Sequence, residues 1–415
     1  MSGTEPGSDA PIVYLDYNAT TPVDPRVRDA MMPYLGASFG NPASRHHELG
    51  CDAAMAVEKA REQVAAVIGA DPREIIWTSG ATEAINLAIA GVVRSPVYGA
   101  DRTHLVTVTT EHHAVLDLCE YFDERACDVT YLGVDRNGHI DLDRLAEVIT
   151  DRTRLVSIMH ANNEIGVLHP IREIGRLCKE RGVLFLTDAT QSFGKEPIDV
   201  EADGIDLLSA SAHKFCGPKG VGFLYVRRRK PRVRLEPLLH GGGHERGLRS
   251  GTLNVPGIVG MGAAADICSR EGRDDQPRIA ALRDRLESGI LEGVSGVAVN
   301  GDREKRLAGT SNLSFDGIDG DVLMKRMTDV AVSSASACTS AQVQPSHVLG
   351  ALGLDDDRVH SSVRFSLGRF TSESEVERAI ERVVATVTAL REESAAEGGT
   401  GDQGTASSCE VKDES

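Results

Sequence analysis

Short apolar runs alternate with stretches of helical period through residues 74–228. "EIIWTSG" (74–80) leads into "ATEAINLAIAGVV", and "HLVTVTT" (104–110) into "EHHAVLDLCEYF". "RLVSIMH" (154–160) and "GVLFLTDAT" (182–190) bracket "IREIGRLCKER", and "IDLLSASAHK" (205–214) is followed closely by "GVGFLYVRR" (220–228). This alternation predicts an α/β fold around a largely parallel sheet. Ligands of such sheets bind beyond the carboxyl ends of the strands. Ser79, His112, Asn163, Asp188 and His213 are therefore expected to meet at one edge.

The pattern shifts at "DICSREGRDDQPRIAALRDRLESGI", a strongly charged helical stretch that marks a change of domain. Short strands follow in "GTSNLSF" and "SSVRFSLG". "TSESEVERAIERVVATVTAL" opens with a capping box, Ser372 and Glu375, and repeats Val376, Ile380, Val383, Val387 and Leu390 at helical spacing. After Arg391 the chain turns acidic and Gly/Ser-rich without apolar period, which reads as a disordered tail over 392–415.

Composition narrows the function. The 415 residues carry a formal net charge of -17, which argues against general nucleic-acid or anionic-membrane binding. The eight cysteines are scattered, without CxxC or metal-type spacing, as in a reducing compartment. A basic-then-apolar leader and an apolar run of membrane-spanning length are both missing from the sequence, so a cytoplasmic protein is expected.

Candidate chemistry gathers at the strand ends. Lys214 in "SASAHKFCGPKG" follows a buried strand, where desolvation suits a lysine to Schiff-base formation. Asp188 ends "VLFLTD", where a carboxylate needs a partner; its alternatives are the cap of the next helix and the counter-charge of a pyridine nitrogen. A Schiff-base lysine and a ring-nitrogen acid are what pyridoxal phosphate requires. "TSGATEA" offers a helix N-terminus with Thr82 for a phosphate; His112 offers a ring to stack on, and Asn163 and Gln191 offer hydrogen bonds to the ring's phenolic oxygen. "SSASACTS" (333–340) places Cys338 among residues too small to anchor it in a core.

Together these stretches resemble the cysteine desulfurases of the NifS/IscS type, which are fold-type-I pyridoxal-phosphate enzymes. The matching segments include "YLDYNATTPVDPRV", "FGNPASRHH", "TSGATEAINLAI", "TEHHAVLD", "NNEIGV", "DATQSFGK", "SAHKFCGPKGVGFLYVRR", "GGGHERGLRSGT", "SSASACTS" and "SSVRFSLGRFT", in order from Tyr14 to about Thr371. The resemblance implies a large domain (23–267) with a mixed, mostly parallel seven-stranded sheet. It adds a smaller α+β C-terminal domain (268–391) carrying the cysteine loop, joined by an N-terminal arm (1–22). It assigns catalysis to Cys338, Lys214, His112 and Asp188. Ala81, Thr82, Ser211 and His213 become phosphate-side contacts, Asn163 and Gln191 ring contacts, and Thr252 a phosphate contact made across a homodimer. Arg364 becomes the grip on the carboxylate of L-cysteine, with Asn41 as a further substrate contact. Sulfur would pass to Cys338 as a persulfide and on to an iron–sulfur scaffold or another acceptor such as one serving tRNA thiolation. No resident metal is implied, although Cys338 could transiently ligate a cluster together with a scaffold partner.

Two departures stand out. Ala335 occupies a position where relatives carry Gly, which narrows backbone freedom, and the acidic tail leaves scaffold docking open. The alternatives are an aminotransferase on the same fold, which does not need Cys338, a selenocysteine lyase, which carries its cysteine in a tighter, differently worded loop, and a nucleic-acid binder using "RRRKPRVR" (227–234). Within so acidic a chain, that basic stretch better suits docking an acidic sulfur acceptor.

Overall fold

The computed structural model describes residues 11–334 and 345–399. Its central sheet has seven strands, in the spatial order Ile75–Thr78, Gly222–Val226, Leu207–Ser211, Leu184–Asp188, Thr153–Ser157, His104–Val108, Asp128–Leu132. Only Gly222–Val226 runs against its neighbours; the other pairings are parallel.

Both faces of the sheet are covered, which explains the near-continuous apolar runs. In Leu184–Asp188, Phe185 joins the core beneath helices Glu48–Val67 and Val255–Gly293. Leu184 and Leu186 join the opposite core, beneath Ala81–Arg94 and His113–Asp123. Ile75 and Trp77 against Ile76 repeat this alternation one strand further out. The edge strand Asp128–Leu132 escaped the sequence reading because only Leu132 of its five residues is fully buried, so its pattern carries neither period.

The second body packs an antiparallel sheet, ordered Ser333–Ser334, Ser362–Ser366, Thr310–Phe315, Val297–Val299, against helix Glu373–Gly399. Val13–Tyr14 pairs in parallel with Val330–Ala331, and Val13 and Leu15 enter the same core. The capping box closes as expected: Glu375 Oε2 accepts the Ser372 amide at 2.8 Å, and Ser372 Oγ accepts the Glu375 amide at 3.3 Å.

The charged helical stretch expected to mark a change of domain lies within one 39-residue helix, Val255–Gly293. Its first half, through Ile267, packs in the large core, and Ile279, Leu282, Leu286 and Ile290 pack in the small one. The C-terminal helix also runs to Gly399, into the span expected to be a tail from residue 392. Its added turns are rich in the helix formers Ala and Glu, and Glu393 reaches Arg326 at 2.8 Å. The rest of that expected tail, with Cys409, lies outside the described residues.

Candidate active site

The strand ends open into a cavity of about 450 Å³. Strand Ile75–Thr78 hands over through Ser79 and Gly80 to helix Ala81–Arg94, whose first turn has no side-chain cap. Glu83, held by Arg249 Nε at 2.8 Å, folds back onto the Ser79 amide at 2.8 Å. Ala81 and Thr82, at the positive end of this helix, line the cavity beside Ser211 and His213. Close approach makes this cradle: a Cβ at Gly222 would stand 2.7 Å from Gly80 Cα. Burial first, then the nearby Lys214, Lys219 and Lys195, lower the pKa of His213 to about 4, so its ring is neutral. Its Nδ1 lies 3.2 Å from Thr20 Oγ1.

Lys214 ends the short helical turn after Leu207–Ser211, and its Nζ donates to the carbonyls of Asn18 at 2.6 Å and Ala19 at 2.7 Å. Asp188 is buried at its strand tip. Its Oδ1 accepts from the Thr190 amide at 3.0 Å, from Thr190 Oγ1, and from Ser209 Oγ at 2.9 Å. Oδ2 has no hydrogen bond among the described residues. His112 caps helix His113–Asp123 by accepting the Ala114 amide on Nδ1 at 3.0 Å. Burial lowers its pKa, aided by Lys214 and opposed by Asp188. The ring is then neutral, with its proton on Nε2.

Arg364 enters from the small domain, in the strand between Thr310–Phe315 and Ser333–Ser334. Its side chain is buried, with Nη1 on Asn163 O at 2.9 Å and Nη2 on Asp16 Oδ1 at 2.7 Å. The fork is thus already anchored on two sides. Two buried polar atoms of residues lining the cavity, Arg364 Nε and Gln191 Oε1, have no partner among the described residues. Gln191 Nε2 donates to Asn18 O at 2.9 Å.

Of the sequence-derived candidates, the cavity brings together Ala81, Thr82, His112, Asn163, Asp188, Gln191, Ser211, His213, Lys214 and Arg364. Thr252 and Asn41 are exposed and outside the cavity of their own chain; Asn41 Oδ1 accepts the Ala43 amide at 2.9 Å. Cys338 and Ala335 lie outside the described residues. The flanking Ser333 is paired with Arg364 itself.

Sequence reasoning missed Asn18, although it sits in "YLDYNATTP". Its carbonyl receives Lys214 and Gln191, and its amide group reaches Asn163 O at 3.2 Å and Thr310 Oγ1 at 3.0 Å. Glu111 and Glu164 were also missed; both are fully buried beside predicted contacts. Cys216, next but one to Lys214, is buried and adopts φ 64°, and burial raises its thiol pKa. Arg227, first of the basic run, points inward onto Glu201 at 2.6 Å and the carbonyls of Val200 and Ile205, so it is not part of an open patch.

The aminotransferase class-V family matches residues 13–379. A cysteine desulfurase IscS from Anaeromyxobacter sp. is 54% identical over 380 residues, covering 92% of this chain and 93% of that protein. The chain belongs to the IscS-type cysteine desulfurase family. An IscS from Rickettsia felis is 51% identical over 92% of both chains. Among solved structures, a NifS-like protein superposes with a TM-score of 0.84 at 38% identity, covering 91% of this chain and 99% of the other. DndA from Streptomyces lividans gives 0.73 at 39% identity, covering 84% and 98%. The family's fold type accounts for the sheet topology described above. Among the described residues no helix is long and apolar enough to cross a membrane.

Proposed function

We propose that this chain is a pyridoxal-phosphate-dependent L-cysteine desulfurase that supplies sulfur for iron–sulfur cluster assembly or tRNA thiolation. The observation that carries the reading is the convergence of Lys214, Asp188, His112 and Arg364 on one cavity, with the segment bearing Cys338 leaving the sheet beside Arg364. The residues present fit the cofactor. An uncapped helix start, Thr82 and Ser211 suit its phosphate, Asp188 Oδ2 its ring nitrogen, and the buried Gln191 Oε1, without a partner among the described residues, would suit a polar group of the ring.

When bound, pyridoxal phosphate supplies an aldehyde that condenses with amines and a ring that accepts electron density from the substrate α-carbon. Asp188 would keep a proton on the ring nitrogen, and the Thr190 and Ser209 donors hold its Oδ1, which leaves Oδ2 for that contact. His112 presents its ring face, held in plane by the Ala114 amide. Arg364, fixed by Asn163 and Asp16, offers Nε and its remaining Nη hydrogens to the substrate carboxylate. Lys214 Nζ takes the α-proton, with the Asn18 and Ala19 carbonyls placed to receive the resulting ammonium.

Cys338 thiolate then attacks the substrate sulfur. The S–S bond forms, the substrate Cβ–S bond breaks, and the electron pair stays on carbon and is protonated. The sum is enzyme thiol plus L-cysteine giving enzyme persulfide plus L-alanine, with no outside oxidant. The exposure of Thr252 supports its use across a homodimer. A Cys338→Ser variant tests the reading: it should keep the yellow colour of bound cofactor and stop producing alanine and sulfide from L-cysteine. Undiminished alanine production overturns it.

A further inference from the structure

Two glutamates near the site have no part in the chemistry just described, and one of them holds the return flank of the segment that carries the nucleophile. Asn162 ties the turn around Glu164 to the neighbouring strand end. Its Oδ1 accepts the amides of Glu164 at 2.8 Å and Ile165 at 3.0 Å, and its Nδ2 donates to Thr110 O at 3.0 Å. Glu164 is 3% exposed. Its Oε2 accepts Ser346 Oγ at 2.5 Å, and that hydroxyl in turn accepts the Leu349 amide at 3.1 Å, capping helix His347–Ala351. His347 Nε2 lies 2.9 Å from Glu111 O, and Val348 and Leu349 pack on Ile165 and Val167. This is where the chain returns after Cys338.

The outgoing flank reaches the same place. Ser333 pairs with Arg364, whose Nη1 donates to Asn163 O at 2.9 Å, and Asn312 on the other side of Arg364 donates to Glu164 O at 3.3 Å. Two adjacent residues, Asn163 and Glu164, therefore hold the substrate-side arginine and the return end of the segment directly, and reach the outgoing end through Arg364. A carboxyl buried this deeply needs a compensating role. Its pKa is raised by burial to about 7, against the Ser346 hydrogen bond and the Arg364 charge.

We propose that Glu164 is a positioning residue for sulfur transfer, its carboxyl fixing through Ser346 the point from which Cys338 is presented to substrate held at Arg364. The proposal rests on Cys338 as the nucleophile. Glu164→Ala, Glu164→Gln and Ser346→Ala are compared with the wild type as full-length, cofactor-loaded enzyme. Three readouts are taken: cofactor colour, the spectral change on adding L-cysteine, and the single-turnover rate of alanine and persulfide formation.

The expected result is unchanged colour and cysteine response. Alanine and persulfide formation should fall at least about tenfold in Glu164→Ala and Ser346→Ala, and less than about threefold in Glu164→Gln, whose amide oxygen still accepts from Ser346. Unchanged alanine rates in the two alanine variants overturn the proposal. So does a parallel loss of colour and cysteine response, which a merely structural role would cause. Cys338→Ser run alongside separates the readings: full alanine formation there removes the nucleophile assignment and the proposal with it.

Discussion

The two sides of the cavity are built differently. On the large-domain side Lys214, Asp188 and His112 sit at the ends of strands in one sheet buried on both faces; Asp188 and His112 are fixed by residues close in sequence or on the adjoining strand, and Lys214 by the Asn18 and Ala19 carbonyls. On the other side Arg364 comes from a second sheet with a separate core, and it is fixed by Asp16 and Asn163, which are 348 and 201 residues away. Groups that must hold a cofactor still stand on a rigid platform. Groups that meet substrate and sulfur are set by contacts between bodies.

The comparison can be broken at several points. The largest effect should come from the platform: Lys214→Ala should lower turnover at least about a thousandfold, because both covalent attachment and proton transfer are lost. A steady-state assay of alanine release checks this. Arg364→Lys should act on binding instead. A point charge cannot serve Asp16, Asn163 O and a substrate carboxylate together, so KM for L-cysteine should rise about tenfold to a hundredfold, with a smaller change in kcat. Asp16→Asn should move KM in the same direction by a few-fold, since the guanidinium keeps its Asn163 bond.

Acid should weaken the fold mainly through the large domain. His160 and His169 are buried there, with pKa values lowered by burial to about 4 and about 3 from 6.5. A histidine depressed in the folded state stays neutral while the unfolded chain takes up the proton. Its stability contribution is full above about pH 6.5 and shrinks as pH falls through that window. Glu164, raised to about 7, works in the opposite sense between 4.5 and 7. Urea melts at pH 7.5, 6 and 5 should show falling midpoints, and His169→Phe should flatten the slope; a slope unchanged in that variant contradicts the assignment.

The platform was largely legible in the sequence. A buried strand followed by a polar residue announces a site residue, so Thr82, His112, Asp188 and Lys214 could be named from their local setting alone. The other side was legible only through family resemblance. Nothing local to Arg364 reveals that Asp16 and Asn163 will hold its fork. Glu164 and Glu111 read as ordinary acids until the structure buries them. Asn18 was hidden for the same reason: its role is to receive Lys214 from 196 residues away. The charged helical stretch read as a change of domain lies within one unbroken helix, because one charged face is compatible with apolar anchoring in a different core at either end.

That helix also constrains motion. Because a single rod has its ends embedded in both cores, the two bodies cannot swing like jaws without bending about 39 residues of hydrogen-bonded backbone. In the proposed reaction, sulfur transfer therefore takes place on a frame whose two cores keep their mutual setting.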